Sequence, residues 1–309
     1  MATVRNDLAI LPYSDPEMVF PKVAPVLKKY VPSGTEYYTP YNSDVSAQTG
    51  RTALGSITAH AVAGASTSYN CAEIIDRENM SYDAIRASYR DDLRAEMSMA
   101  RVGKRAVSDV IEGQLKTALL GSPEDIHAES DICGAVEALA WTLADKAYGK
   151  IALVLSTKCF TALKGVASIK DRMKNLGIFS NDGDPRRITE AQMAAAFGVD
   201  EVIVGPNRVW GSGAGATCGA LVVTPTAGLF PNEEIQFGRV FAYEFPEGGF
   251  DEWIPFLVEV WTNDLIKGLT VDVTAKAAFV TLNSALKQGI RFFAADASES
   301  GSDSNSISG

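Results

Sequence analysis

The chain has 309 residues, 46% of them hydrophobic and 21% charged, with a formal net charge of −10. That length allows about two domains of roughly 150 residues each, and the acidic balance argues against a protein built to grip nucleic acid through a basic face. No apolar run approaches the roughly 20 residues of a membrane helix, and Met1–Asp7 lacks the apolar stretch of a signal peptide, so synthesis in the cytoplasm is the expectation.

Residues 1–42 hold Pro12, Pro16, Pro21, Pro25, Pro32 and Pro40, too many for a long helix or a central strand. An extended arm anchored by Tyr37, Tyr38 and Tyr41 fits, and so does a loop packed on its own domain. From Asn42 to Ala72 the chain is rich in Ser, Thr, Ala and Gly. Ser56–Val62 alternates polar and apolar residues, as a strand with one wet face does, and Thr67–Tyr69 can return as a second strand. Such a two-stranded arm is marginal alone in water, so it needs a surface to lie on. His60 within it reads as a surface side chain.

Ser81–Leu120 is the longest helical pattern, with Ile85, Leu93, Met97, Val107, Val110, Ile111, Leu115 and Leu119 at three- and four-residue steps. Gly121-Ser122-Pro123 ends it. Gly103 inside it costs about 1 kcal/mol relative to Ala. At 1.5 Å per residue the helix would run about 60 Å, longer than a compact domain requires. Its stripe does not hold a heptad over enough turns for a coiled coil.

Residues 129–257 read as an α/β unit. Asp131 caps a helix carrying Ile132, Val136, Leu139 and Leu143, Ile151–Leu155 is a buried strand, and Ser156 caps the next helix through Phe160 and Leu163. Lys170–Arg187 reads as a loop. Thr189 and Gln192 then form a capping box on a short helix that carries Met193 and Phe197 and stops at Gly198. Two apolar strands, Val202–Gly205 and Ala220–Pro225, flank the Gly-rich loop Gly211–Gly219. Gln236–Glu244 and Glu252–Trp261 are strand candidates, and Leu269–Phe293 is β-rich, with Val271, Val273, Ala275 and Ala277 alternating. Ala294–Gly309 has almost nothing to bury, so disorder is expected there.

Chemistry-bearing patterns are absent from the sequence. Gly211-Ser212-Gly213-Ala214-Gly215 runs into a strand, where a dinucleotide fingerprint needs a helix, and no GxxxxGK[ST] motif occurs. A nucleophilic triad would require a His near a Ser or Cys, and His127, among Glu124, Asp125 and Glu129, reads as a solvated turn residue. Glu233-Glu234 and Asp251-Glu252 are sequence neighbours that point to opposite faces of a strand. Cys71, Cys133, Cys159 and Cys218 lack a CxxC pair and read as buried thiols. His60 and His127 have no ligand-like spacing for zinc. No enzyme activity, cofactor or metal is expected.

The order of pieces carries a resemblance. The capped helix at Thr189–Gln192, the strand Phe197-Gly198-Val199-Asp200-Glu201-Val202-Ile203-Val204-Gly205, Trp210 and Ala220–Pro225 resemble the axial domain of tailed-phage major capsid proteins, which share the Hong Kong 97-type fold. Tyr69–Glu73 with Asp76-Arg77-Glu78 resembles that family's link from extended loop to spine helix, the charged run from Arg90 to Arg105 resembles the spine helix, and Asp264–Val271 resembles its peripheral strands. The resemblance spans about residues 45–290.

It implies an α+β, Hong Kong 97-like capsid fold with an N-terminal arm (1–42), an extended β-hairpin loop (43–78), a peripheral domain with a long spine helix (79–128 and 258–293), an axial α/β domain (129–257) and a C-terminal tail (294–309). Assembly contacts would then come from Arg51, Leu54, Ile57, His60 and Tyr69 on the extended loop, and from Arg90, Arg94, Arg101, Lys104 and Arg105 on the spine. Arg208, Trp210, Gly213 and Phe250 would serve on axial loops. The implied function is a self-assembling shell of pentamers and hexamers around double-stranded DNA, contacted non-specifically. Scaffolding, portal and decoration proteins would be its partners, and the virion its location. An acidic shell wall that does not adhere to the duplex suits that role. Some members cross-link through an extended-loop Lys, but no Lys lies between Lys29 and Lys104. An encapsulin-like compartment shell shares the implied fold, and a cytosolic α/β enzyme is the alternative from another class.

Overall fold

The computed structural model describes residues 3–5, 8, 18–38, 65–89, 91–127, 131–146, 149–178, 187–211, 218–224, 236–246 and 255–293. In chain order the elements are β1 (Thr3–Val4), α1 (Phe20–Val23), β2 (Val26–Lys29), β3 (Ser33–Tyr38), β4 (Ala65–Asn70), β5 (Ala72–Ser81), α2 (Tyr82–Ser88) and α3 (Asp92–Leu120). Next come β6 (Glu124–His127), α4 (Ile132–Ala144), β7 (Lys150–Ser156), α5 (Thr157–Leu163), α6 (Ala167–Asn175), α7 (Glu190–Phe197), β8 (Glu201–Gly205) and α8 (Asn207–Trp210). The last are β9 (Cys218–Thr224), β10 (Gly238–Tyr243), β11 (Leu257–Asn263), β12 (Gly268–Thr281) and β13 (Lys287–Phe293).

The first sheet is organised around β12, whose 14 residues are buried from Gly268 to Ala275. β5 runs antiparallel along one side over Gly268–Ala277. On the other side β11 pairs with the first half of β12 and β10 with the second. β1 extends the sheet beyond β11, and β2 lies parallel to β10 at the edge. An edge position suits the proline-rich N-terminal chain, because Pro25 has no N–H to give to a ladder. The expected apolar/polar alternation in β12 is not what its burial shows. Thr270, Asp272 and Thr274 are buried along with Val271 and Val273, because both faces of this strand are covered.

The helix expected over Ser81–Leu120 is two helices. Ser81 caps α2 by accepting the Ala84 N–H, and Asp91 caps α3 by accepting the Arg94 N–H. Two capping side chains ten residues apart make two starts, so α3 has 29 residues and runs about 43 Å. It lies on the face of the first sheet that carries Ile74, Asp76 and Met80. Gly103 marks the closest approach: a Cβ there would stand 2.6 Å from Val273 Cγ2 and 3.3 Å from Asp76 Oδ2. Its missing side chain admits the sheet.

The second sheet has the order β6-β13-β9-β7-β8, with β9 antiparallel to both neighbours and the other pairs parallel. The capping box at Thr189 and Gln192 is present, and Gly198 ends α7 with φ 66°, the left-handed cap that glycine adopts without strain. Asp131 and Ser156 cap α4 and α5 as expected.

Three further expectations change. Lys170–Asn175 belongs to a helix, α6, because Ile169 and Met173 are buried one turn apart beneath the charges that gave the segment a loop-like composition. Gln236–Glu244, read with the α/β unit, contributes β10 to the first sheet, whereas β13 joins the second. Strand pairing crosses the sequence boundaries there, and composition carries no pairing information. β4 pairs with β3 from the N-terminal chain, Tyr69 facing Gly34. Residues 56–62, residues 212–217 and the tail 294–309 lie outside the described residues.

Candidate functional site

Helix α3 packs on strands of both sheets and on the N-terminal chain. Three charged residues spaced by eight, Glu96, Lys104 and Glu112, each reach the N-terminal chain. Glu96 pairs with Arg5. Lys104 donates to the Leu8 carbonyl, with its Nζ 5.0 Å from the Phe256 ring centroid. Burial pulls its pKa down to about 8. Glu112, fully buried, accepts from the backbone N–H of Val19 (3.1 Å) and Phe20 (3.0 Å) and from Trp210 Nε1 (2.5 Å). Burial raises the pKa of that carboxyl, and the three donors oppose the rise.

The same stretch of α3 holds the turn α8. Asp109 accepts from Arg208 Nε at 2.7 and 2.8 Å, and Lys116 Nζ donates to the Val209 carbonyl at 2.8 Å. The helix therefore joins the N-terminal chain, the first sheet and one end of the second sheet.

The sequence-derived residues separate into three groups. Arg94, Arg101 and Arg105 are exposed on α3, and Arg208 is exposed on α8. Lys104, Trp210 and Tyr69 are buried inside the subunit, contrary to their reading as assembly residues. Each has an internal partner: the Leu8 carbonyl for Lys104, the Glu112 carboxylate for Trp210, and for Tyr69 the Phe241 ring stacked at 4.6 Å. Arg51, Leu54, Ile57, His60, Arg90, Gly213 and Phe250 lie outside the described residues. Glu112 was not singled out by sequence, although its position one turn after Ser108 and seven residues before Leu119 puts it against the apolar stripe. A carboxylate there signals a buried acceptor.

Two features of the surface bear on interaction. Leu93, Met97, Val102 and Val110 on α3 are exposed by 39 to 52%. A groove of about 660 Å³ opens at the carboxyl ends of β7 and β8, lined among others by Lys22, Arg105, Thr157, Glu190 and Arg208.

No family model and no curated protein matches the chain. Solved structures do. A phage-related protein from Bordetella bronchiseptica superposes with a TM-score of 0.61 at 18% identity, covering 94% of this chain and 98% of that one. The capsid of cyanophage P-SCSP1u follows at 0.54 and 10%, covering 90% and 88%. The chain has the fold of phage capsid proteins. A virus-like particle from Pyrococcus furiosus shares this capsid fold at 0.50 and 8%, covering 89% and 92%. Among the described residues, no helix is long and apolar enough to cross a membrane.

Proposed function

We propose that this chain is the repeating subunit of an icosahedral shell, the major capsid protein of a tailed phage, assembling as pentamers and hexamers around double-stranded DNA. The observation that carries the reading is end-to-end coverage. About nine-tenths of this chain matches about nine-tenths of capsid subunits, so the likeness is to a whole shell subunit.

The mechanism is repeated heterologous contact between copies, which closes when the rotation between neighbours closes. A 29-residue helix tied on several sides is a rigid strut for such a tile. In this reading copies cover Leu93, Met97, Val102 and Val110, which are large apolar side chains left in water in the single subunit. The segment carrying Arg51, Leu54, Ile57 and His60 lies on a neighbour, while the loops with Gly213 and Phe250 meet around the capsomer axis. Scaffolding and portal proteins act on the assembling shell in the host cytoplasm.

Deleting residues 50–64, short of the buried Tyr69, tests the reading. The folded subunit is expected to survive by circular dichroism while shells vanish by sedimentation. Loss of the fold, or persistence of shells, would count against it. A compartment shell enclosing protein cargo is the second reading, favoured by the match to the Pyrococcus particle. Nucleic-acid content of shells purified from infected cells separates the two.

A further inference from the structure

Strand β5 has 10 residues and pairs with β12 along its whole length. Among the described residues nothing pairs with its outer edge. The hairpin β3–β4 turns the other way, with Tyr69 stacked on Phe241 of β10. The register shows which backbone groups this edge presents. The Tyr82 N–H donates to the Lys267 carbonyl, one step beyond the pair Ser81 and Gly268. Even-numbered residues of β5 therefore exchange bonds with β12, and the N–H and C=O groups of Glu73, Ile75, Arg77 and Asn79 point outward. A long open edge of this kind is a template for another strand.

Charge decides which strand fits. Laid antiparallel against a second β5 with Ile75 opposite Ile75, the strand sets Glu73 opposite Arg77 on both sides of a two-fold axis. Arg77 already holds Asp272 through Nε at 2.7 Å and Nη2 at 2.6 Å, which leaves Nη1, and Glu73 stands 4.0 Å from Lys276. Pairing thus builds a row of alternating sign: Asp272 and Arg77 of one copy, then Glu73 and Lys276 of the other. On the face toward α3, Asp76 meets Ile74 and Glu78 meets Ala72. The nearest like charges, the two Asp76 carboxyls, are diagonal at about 7–8 Å. Centring the pair on Glu73, Asp76, Arg77 or Glu78 sets a charge against its own copy, which destabilises. Centring it on Ile74 or Asn79 forms no opposite-charge pair. Ile75 itself is 57% exposed in the single subunit.

We propose that two copies of this chain join edge to edge through β5, antiparallel and centred on Ile75, so that one continuous sheet crosses a two-fold axis. The contact is isologous, the same strand serving on both sides. Charges on an edge discourage pairing with unrelated strands, and here they also make the edge complementary to itself in one register. The contact goes beyond the shell reading and does not need it, since pairing two copies requires no closure.

Mild oxidation of the full-length variant Ile75→Cys tests it. Hydrogen-bonded partners across an antiparallel pair have Cα atoms about 5.5 Å apart, a separation that a disulfide spans. The native cysteines Cys71, Cys133, Cys159 and Cys218 are buried. Leu265→Cys, at a position 95% exposed in the turn between β11 and β12, is the control. A disulfide joining position 75 to its copy, identified by peptide mass, should form several-fold faster than one joining position 265 to its copy. Adding Glu73→Pro removes an N–H that faces outward and not toward β12, so circular dichroism should hold while coupling slows several-fold. Adding Glu73→Lys sets like charges opposite each other and should slow it too. The proposal is overturned if position 75 couples no faster than position 265, or if either folded Glu73 variant couples undiminished. It is also overturned if position 75 is shielded from alkylation without coupling to its copy, because a different strand then holds the edge. Particle imaging reads the shell hypothesis separately, so shells that lack this disulfide overturn the β5 contact alone.

Discussion

Trp210 Nε1 donates a hydrogen bond to Glu112 Oε1 at 2.5 Å, and both side chains are fully buried. The same carboxylate receives the N–H groups of Val19 and Phe20. A single charge thus fixes the long helix, the N-terminal chain and the turn after β8 against one another. The three donors offset part of its desolvation, and its pKa stays raised.

Glu112→Ala leaves three buried donors without an acceptor. At about 1–3 kcal/mol for each buried orphan, the loss of stability should be at least about 3 kcal/mol. Trp210→Phe removes one donor and should cost about 1–2 kcal/mol. Urea unfolding midpoints check both. Faster amide exchange at Val19 and Phe20 should appear in Glu112→Ala and be smaller in Trp210→Phe.

Gly103→Ala separates a local from a tertiary account of the helix. Helix propensity alone favours Ala by about 1 kcal/mol. The added Cβ would sit 2.6 Å from Val273 Cγ2, an overpacking that costs about 1–3 kcal/mol. Net destabilisation is expected. Val273→Ala should relieve it in the double variant, as a double-mutant cycle by chemical denaturation would reveal.

These two residues show what was legible in the sequence and what was not. Local signals were readable, since the capping box at Thr189, the caps at Asp131 and Ser156 and the stop at Gly198 are set by residues within a few positions. Long-range pairing was not. Nothing near Gly238–Tyr243 specifies a partner in β12, and nothing near Gly34 specifies Tyr69. The break at Tyr89–Asp91 was hidden by apolar residues that keep helical spacing across it. Charge was a poor guide to exposure: Lys104 and Glu112 are buried because backbone carbonyls and N–H groups of the N-terminal chain meet them.

Asp76 makes stability depend on acid. Its Oδ2 is buried with no hydrogen-bond partner among the described residues, and burial, then the charge of Asp272, raises its pKa. Burial and the charge of Asp76 in turn raise that of Glu78. A carboxyl with a raised folded pKa holds its proton longer in the folded state, so stability falls as pH rises through the interval above the usual carboxylate value. Asp76→Asn should flatten that fall above the usual carboxylate value. An unchanged slope in denaturation midpoints would contradict this.

Lys104 acts in the opposite range. Its pKa is pulled from 10.5 to about 8 by burial, so between those values the unfolded chain binds more protons and stability rises with pH. Lys116 and Lys287 are lowered by burial as well, so the informative quantity is a difference. Lys104→Met should lose the part of the alkaline rise that wild type retains, measured by denaturation from pH 8 upward.

The most direct measurement is electron microscopy of the purified full-length chain, paired with sedimentation over a range of protein concentrations. A shell subunit should give closed, uniform particles that appear cooperatively above a threshold concentration. A discrete small oligomer, unchanged at every concentration and in the presence of a scaffolding partner, would contradict assembly as the purpose of this fold.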